Sequence, residues 1–158
     1  MDNEKKRDFQ LRITNANNVE LIIILYEIAV EYLECARASY EAGDRSEFKR
    51  NTESARNCIE EMVNSLDFGY EITPALHKLY LFMKKEIRDA VCDNDIAPID
   101  DVIGRLKTLK SAYEQIKDED TSDPVMKHIQ TIITGMTYGK NKILNDITQD
   151  CSNRGFRV

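Results

Sequence analysis

Tryptophan is missing altogether, and proline occurs three times and glycine six times in 158 residues. So few turn formers do not suit a chain of short strands joined by tight turns. The four cysteines, Cys35, Cys58, Cys92 and Cys151, stand far apart with no C-x-x-C pair, which removes the zinc knuckle and the thioredoxin-type redox motif. They read as free thiols, the first three inside helices as small buried hydrophobes. Basic charge is scarce too: the formal net charge is −6, and the only dense basic run is Lys5-Lys6-Arg7, flanked by acids. Without a basic face for phosphates, nucleic acid is not an expected partner. No apolar stretch in Met1 to Gln10 could serve as a signal peptide. The longest apolar run, Leu21 to Val30, is half of the roughly 20 residues a membrane span needs and contains Glu27. We expect a cytoplasmic protein with no membrane insertion.

Catalytic constellations are absent as well. Bundles that hold two metal ions use Glu-x-x-His pairs, but Pro74 and Val125 stand three residues before His77 and His128. Neither histidine lies beside a nucleophile in sequence. The stretch Gly135-Met136-Thr137-Tyr138-Gly139-Lys140 lacks both the spacing of a phosphate loop and the strand before it. Acidic pairs such as Glu60-Glu61 and Asp100-Asp101 are consecutive, so on a helix they point about 100° apart and read as solvated surface. The expectation is no enzyme, no cofactor and no metal.

What the chain does have is helical periodicity. After Asn15-Ala16-Asn17-Asn18, where an Asn can cap, a first long helix runs to Ala42 and stops at Gly43. Ile22, Leu25, Tyr26, Ala29, Leu33, Ala36 and Tyr40 form its core stripe. A second row, Leu21, Ile24, Ile28, Tyr32 and Cys35, requires this helix to be covered on more than one side. Asp44 or Ser46 can cap the second helix, whose stripe runs from Phe48 through Ala55 and Ile59 to Leu66. Thr73-Pro74, a capping hydroxyl before a proline, opens the third, with Leu76, Leu79, Tyr80, Met83, Ile87 and Ala90. After the break at Asn94-Asp95, Pro98 restarts the pattern for the fourth, from Ile99 through Leu106 to Tyr113 and Ile116.

Each helix is about 20 residues, roughly 30 Å. Short links between helices of matched length predict an all-α fold, an antiparallel up-down four-helix bundle over residues 18–117. Residues 1–17 read as a flexible N-terminal segment. Residues 118–158 read as a polar hinge, a short fifth helix and a C-terminal tail. The apolar stripe Val125, Ile129, Ile132, Ile133 and Met136 of that helix could pack back on the second row of the first.

Asn15-Ala16-Asn17-Asn18-Val19-Glu20-Leu21, running into Leu25-Tyr26-Glu27, resembles the flagellar secretion chaperone family FliS. Members typically read Thr-Ala-Ser-Pro-x-Glu-Leu, then an apolar run and Leu-Tyr-Asp-Gly-Ala. Further matches follow in order: Ala42-Gly43-Asp44, Ser65-Leu66-Asp67-Phe68, Leu79-Tyr80 with Met83, and Ala112-Tyr113. The ending, Pro124-Val125-Met126 through Gly135-Met136-Thr137-Tyr138-Gly139-Lys140 to Arg154-Gly155-Phe156, is similar to a longer branch of that family. Asn18 stands where members carry Pro, Asn17 where they carry a capping Ser, and Ile28 where many carry Gly. Asn still caps, whereas Ile28 adds bulk on a face a partner can contact.

The resemblance implies an export chaperone that binds the C-terminal segment of flagellin, prevents premature polymerisation and supports delivery to the flagellar export apparatus, as a monomer or weak homodimer. The alternative is a divergent helical-bundle interaction module for another flagellar or secreted protein. Candidate contact residues are Ile24, Tyr26, Ile28, Leu79, Tyr80, Met83 and Tyr113, although helical spacing fits core as well as contact for most of them. Family members also carry an N-terminal segment that can lie in the binding groove. Phe9, Leu11 and Ile13 alternate as such a strap would, and a disordered tail is the other reading of the same residues.

Overall fold

The computed structural model describes residues 3–117, and these form five α-helices. They are α1 (Asn3–Asn15), α2 (Asn18–Glu41), α3 (Arg45–Asn64), α4 (Thr73–Asp93) and α5 (Ala97–Ile116). The four long helices of the expected bundle are α2 to α5. Packing joins α2 to α3, α3 to α4, α4 to α5 and α5 back to α2, a closed ring with α2 and α4 on one diagonal. The Tyr40 hydroxyl at the end of α2 donates to the Asn94 carbonyl at the end of α4, 3.0 Å away, so these two helices finish at the same end of the bundle. That is the up-down-up-down order.

Local chemistry fixes where each helix begins and stops. The Asn17 side chain accepts from the Glu20 backbone N–H, while the Glu20 carboxylate accepts from the Asn17 N–H; this reciprocal cap sets the start of α2. Gly43 takes a positive φ of 74°, and Asp44 then caps α3 by accepting from the Glu47 N–H. Asn94, left-handed at φ 54°, ends α4. Thr73, expected as a cap, is instead the first residue of α4, and its hydroxyl donates to the Asp67 carbonyl at 2.6 Å. It ties the α3–α4 loop to the helix, and Pro74 alone carries the helix-start signal.

The core is the predicted set of stripes. Tyr26, Ala29, Leu33 and Ala36 face Phe48, Ala55, Ile59 and Met62 of α3, Tyr80, Met83, Ile87 and Ala90 of α4, and Ile99, Val102 and Leu106 of α5. Each fully buried side chain of Leu or Ile size contributes about 1.5–3 kcal/mol, which makes this cluster the main stabilising feature of the bundle. Among the cysteines, Cys35 and Cys58 are half-buried free thiols; Cys92, expected to be buried, is exposed on the outer side of α4.

The short additional helix among the described residues is α1, at the N-terminal end. Residues 3–15, where Phe9, Leu11 and Ile13 alternate in sequence, are helical. Phe9 and Ile13 are four apart and share the half-buried side of α1, and Leu11 between them is 66% exposed. The fifth helix expected over 124–136, with the hinge and tail of 118–158, lies outside the described residues.

Candidate partner-binding faces

Among the described residues, two of the apolar regions outside the core enclose cavities, and the first lies on the outer side of α2. Ile23 and Ile24 are 6% and 4% exposed, yet neither belongs to the continuous core. Ile24 and Leu33 are nine residues apart, which at 100° per residue sets them on opposite sides of the helix. What covers Ile24 is α1. Lys5 Nζ lies 2.5 Å from Glu31 Oε1, and Arg12 Nη1 lies 2.6 Å from Glu27 Oε2, so α1 runs antiparallel along α2. Leu11, Arg12 and Asn15 of α1, Glu20, Ile23 and Ile24 of α2, and Lys117 enclose a cavity of about 360 Å³. The cover is thin, because α1 buries none of its own residues fully.

Carboxylates line this face. Glu20, Glu27 and Glu34 of α2 pair with Lys117, Lys110 and Lys107 at 3.0, 3.2 and 2.8 Å, so the α2–α5 seam is a ladder of ion pairs beside the α1 contact. Glu27 is shared between Arg12 and Lys110. Burial by itself would raise its carboxyl, but the hydrogen bonds and charges of those two cations outweigh burial and hold it below the ordinary glutamate range. It is therefore a fixed anion at neutral pH.

The second region is the end of the bundle where α3 hands over to α4. A cavity of about 430 Å³ is walled by Ile22, Leu66 and Leu76, floored by Tyr80 and Tyr113, and rimmed by Tyr70, Ile72 and Ile116. The rim is open: Tyr70, Ile72 and Ile116 are 68%, 65% and 46% exposed, and Phe68 beside them is 63% exposed. Beneath the floor, the Tyr26 and Tyr80 hydroxyls hydrogen-bond to each other, and the Tyr113 ring packs 5.6 Å from that of Tyr26. Burial raises all three phenols, Tyr80 to about 12, so they act as neutral hydrogen-bonding groups at the bottom of an apolar cavity.

The candidate contact residues are thus distributed rather than gathered in one groove. Tyr80 and Tyr113 meet at the end cavity, with Tyr26 closed off beneath them. Met83 is fully enclosed in the core. Leu79 lines a shallow groove between α4 and α5 with Gly104, Arg105 and Leu109. Ile24 is buried under α1, and Ile28, one turn on, is half-buried. Phe9 and Ile13 are half-buried on α1, and Leu11 lines the α1–α2 cavity while largely exposed. Sequence reasoning overlooked Phe68, Tyr70 and Ile72, which lie in a loop outside any helical period. Their signal was the presence of three large apolar side chains in a connecting segment, where exposure is the default.

Burial is the chemistry these faces offer. Among the described residues, no group of three or more His, Cys, Asp or Glu side chains could hold a metal ion, and no helix is long and apolar enough to cross a membrane. Against known families, the model for flagellar protein FliS matches residues 1–120. The chain belongs to the FliS family. A flagellar secretion chaperone FliS of Bacillus subtilis is 23% identical over 114 residues, which cover 72% of this chain and 86% of that protein. A flagellar secretion chaperone FliS of Vibrio cholerae is 38% identical over 66 residues, 42% of this chain and 45% of that one. Membership covers α1 as well as the bundle, so the N-terminal helix falls within the part that this FliS chain shares with its family.

Proposed function

We propose that this FliS chain is a cytoplasmic export chaperone that binds the C-terminal segment of flagellin, keeps it from polymerising and supports its delivery to the export apparatus. The observation that carries this reading is the outer face of α2, where, among the described residues, buried isoleucines outside the core lie under a helix with no buried residue of its own. A helix of 13 residues is marginal in isolation, so α1 depends on that contact to persist. An amphipathic helix of a partner can replace it, the helix-in-groove mode of recognition. The open end cavity offers a second foothold, with Tyr70, Ile72 and Ile116 at the rim and Tyr80 and Tyr113 at the floor. Ile24 and Ile28 would meet the partner directly, while Tyr26 and Met83 would support the surface from beneath. No bond is made or broken in this function.

Mixing the full chain with the C-terminal segment of a flagellin from the same organism should give a one-to-one complex on size-exclusion chromatography and a binding isotherm by calorimetry. No detectable binding at tens of micromolar, where a complex of about −6 kcal/mol is still visible, contradicts the flagellin reading. In that event a different flagellar or secreted protein becomes the partner to seek, since Ile28 already alters the face where many family members carry Gly.

A further inference from the structure

The charges beneath α1 bear on which helix can take its place. On the outer face of α2, Glu31 pairs among the described residues with Lys5 alone, and Glu27 with both Arg12 and Lys110. Lys5 and Arg12 are seven residues apart, two turns of helix, and Phe9 and Ile13 lie between and beyond them on the half-buried side. With α1 gone, Glu27 keeps one cation and Glu31 none among the described residues. Among the described residues, Glu27 and Glu34 then keep Lys110 and Lys107 of α5.

We propose that Glu27 and Glu31 are specificity-determining residues that select, on this face, a partner helix with an apolar stripe flanked by basic side chains two turns apart. In this view α1 is the chain's own copy of the ligand pattern. The inference rests on the reading that a partner displaces α1, and it adds the charge that the displacing helix must carry. Complementary charge suppresses wrong partners and fixes register, which burial alone does poorly because apolar contact is non-directional. Here the register is antiparallel to α2, with the more N-terminal base of the partner near Glu31 and the other near Glu27.

The difference between two pairs of substitutions separates this role from mere anchoring of α1. Lys5→Ala/Arg12→Ala and Glu27→Gln/Glu31→Gln remove the same two contacts between α1 and α2. Carboxylates that only hold α1 would make both full-chain variants bind the flagellin C-terminal segment more tightly and to the same extent. Selection by Glu27 and Glu31 requires the first variant to tighten binding and the second to bind about three- to tenfold more weakly than the first, with a flatter salt dependence. Equal tightening overturns the proposal. Circular dichroism melts of each variant check folding. If the double glutamine chain melts early, Glu31→Gln alone, with the exposed Lys5 as its partner, reads the same sign.

Should neither wild type nor Lys5→Ala/Arg12→Ala bind flagellin, the flagellin reading fails, and a second arm tests the charge rule by itself. A synthetic peptide of residues 3–15, added to the full-chain Lys5→Ala/Arg12→Ala variant, should bind and should lose binding when its own Lys5 and Arg12 are replaced by Glu. Equal binding of both peptides, or binding of neither, overturns the inference.

Discussion

The two apolar regions outside the core differ in how the chain handles them. On the outer side of α2, Ile23 and Ile24 lie under a helix of the same chain and are ringed by paired carboxylates. At the α3–α4 end, Tyr70 and Ile72 face solvent with no cover from the described residues. Both are surplus hydrophobic surface, and neither is needed to close the four-helix core. The difference points to a division of labour: a face that stays available for first contact, and a face whose exposure is conditional on α1 leaving. Under the proposed function that arrangement has a use, because permanently open apolar patches are also sites for unwanted association.

Separating fold from surface gives the largest expected effect. Met83→Ala, in the sealed core, should lower unfolding free energy by about 2–5 kcal/mol in denaturant titrations, whereas Ile72→Ala at the open rim should change it by less than about 1 kcal/mol. Flagellin binding should respond in the reverse order for the folded variants. A large stability loss at Ile72 would place the end cavity in the structural core and remove it as a binding face.

Next in size is Ile28→Asp. Ile28 is half-buried at the edge of the α1-covered face, so a carboxylate there can reach water, and the melting temperature should fall by only a few degrees, about 1 kcal/mol. Partner binding should weaken more, by about tenfold or greater, since the carboxylate would lose its water in the complex. A collapse of cooperative unfolding with little change in the affinity of the remaining folded protein would make Ile28 core.

The smallest effect is with pH. The folded Glu27 carboxyl lies below the ordinary value of 4.5, so its stabilising contribution to α1 docking is complete above that value and is lost as acid carries the pH down through the folded one. Arg12 is partly exposed and its charge is screened, which limits the contribution to less than about 1 kcal/mol. Amide protection in α1 should fall below pH 4.5 before that of the bundle, and Glu27→Gln should abolish the difference. Acid loss of α1 and bundle together would indicate that α1 is an integral part of the core.

These contrasts also explain which parts were legible in the sequence. The four stripes were legible because each repeats at helical spacing over four or five turns and has one way to be buried; Ile116, at the end of the last stripe, is the member the structure leaves exposed. The helix of the N-terminal segment was hidden because Phe9, Leu11 and Ile13 satisfy a period of two, while Phe9 and Ile13 equally satisfy i, i+4. Three residues cannot separate these patterns. Sequence did show that α2 needs a second cover, from the row containing Ile24 and Ile28, but it could not say that α1 supplies it. That choice depends on Lys5 and Arg12 finding Glu31 and Glu27, a pairing between residues 15 to 26 positions apart. The end cavity was invisible for a related reason: Tyr80 and Tyr113 sit on different helices, and Tyr70 and Ile72 belong to a loop that has no period to read.

Hydrogen exchange on the full chain, with and without a stoichiometric flagellin C-terminal segment, tests most directly the claim that α1 occupies the place a partner takes. In the complex, the amides of residues 5–15 should exchange faster than in the free protein, while those of residues 20–31 on α2 stay as protected or more so. Protection of α1 that is unchanged or increased in a saturated complex would contradict the account.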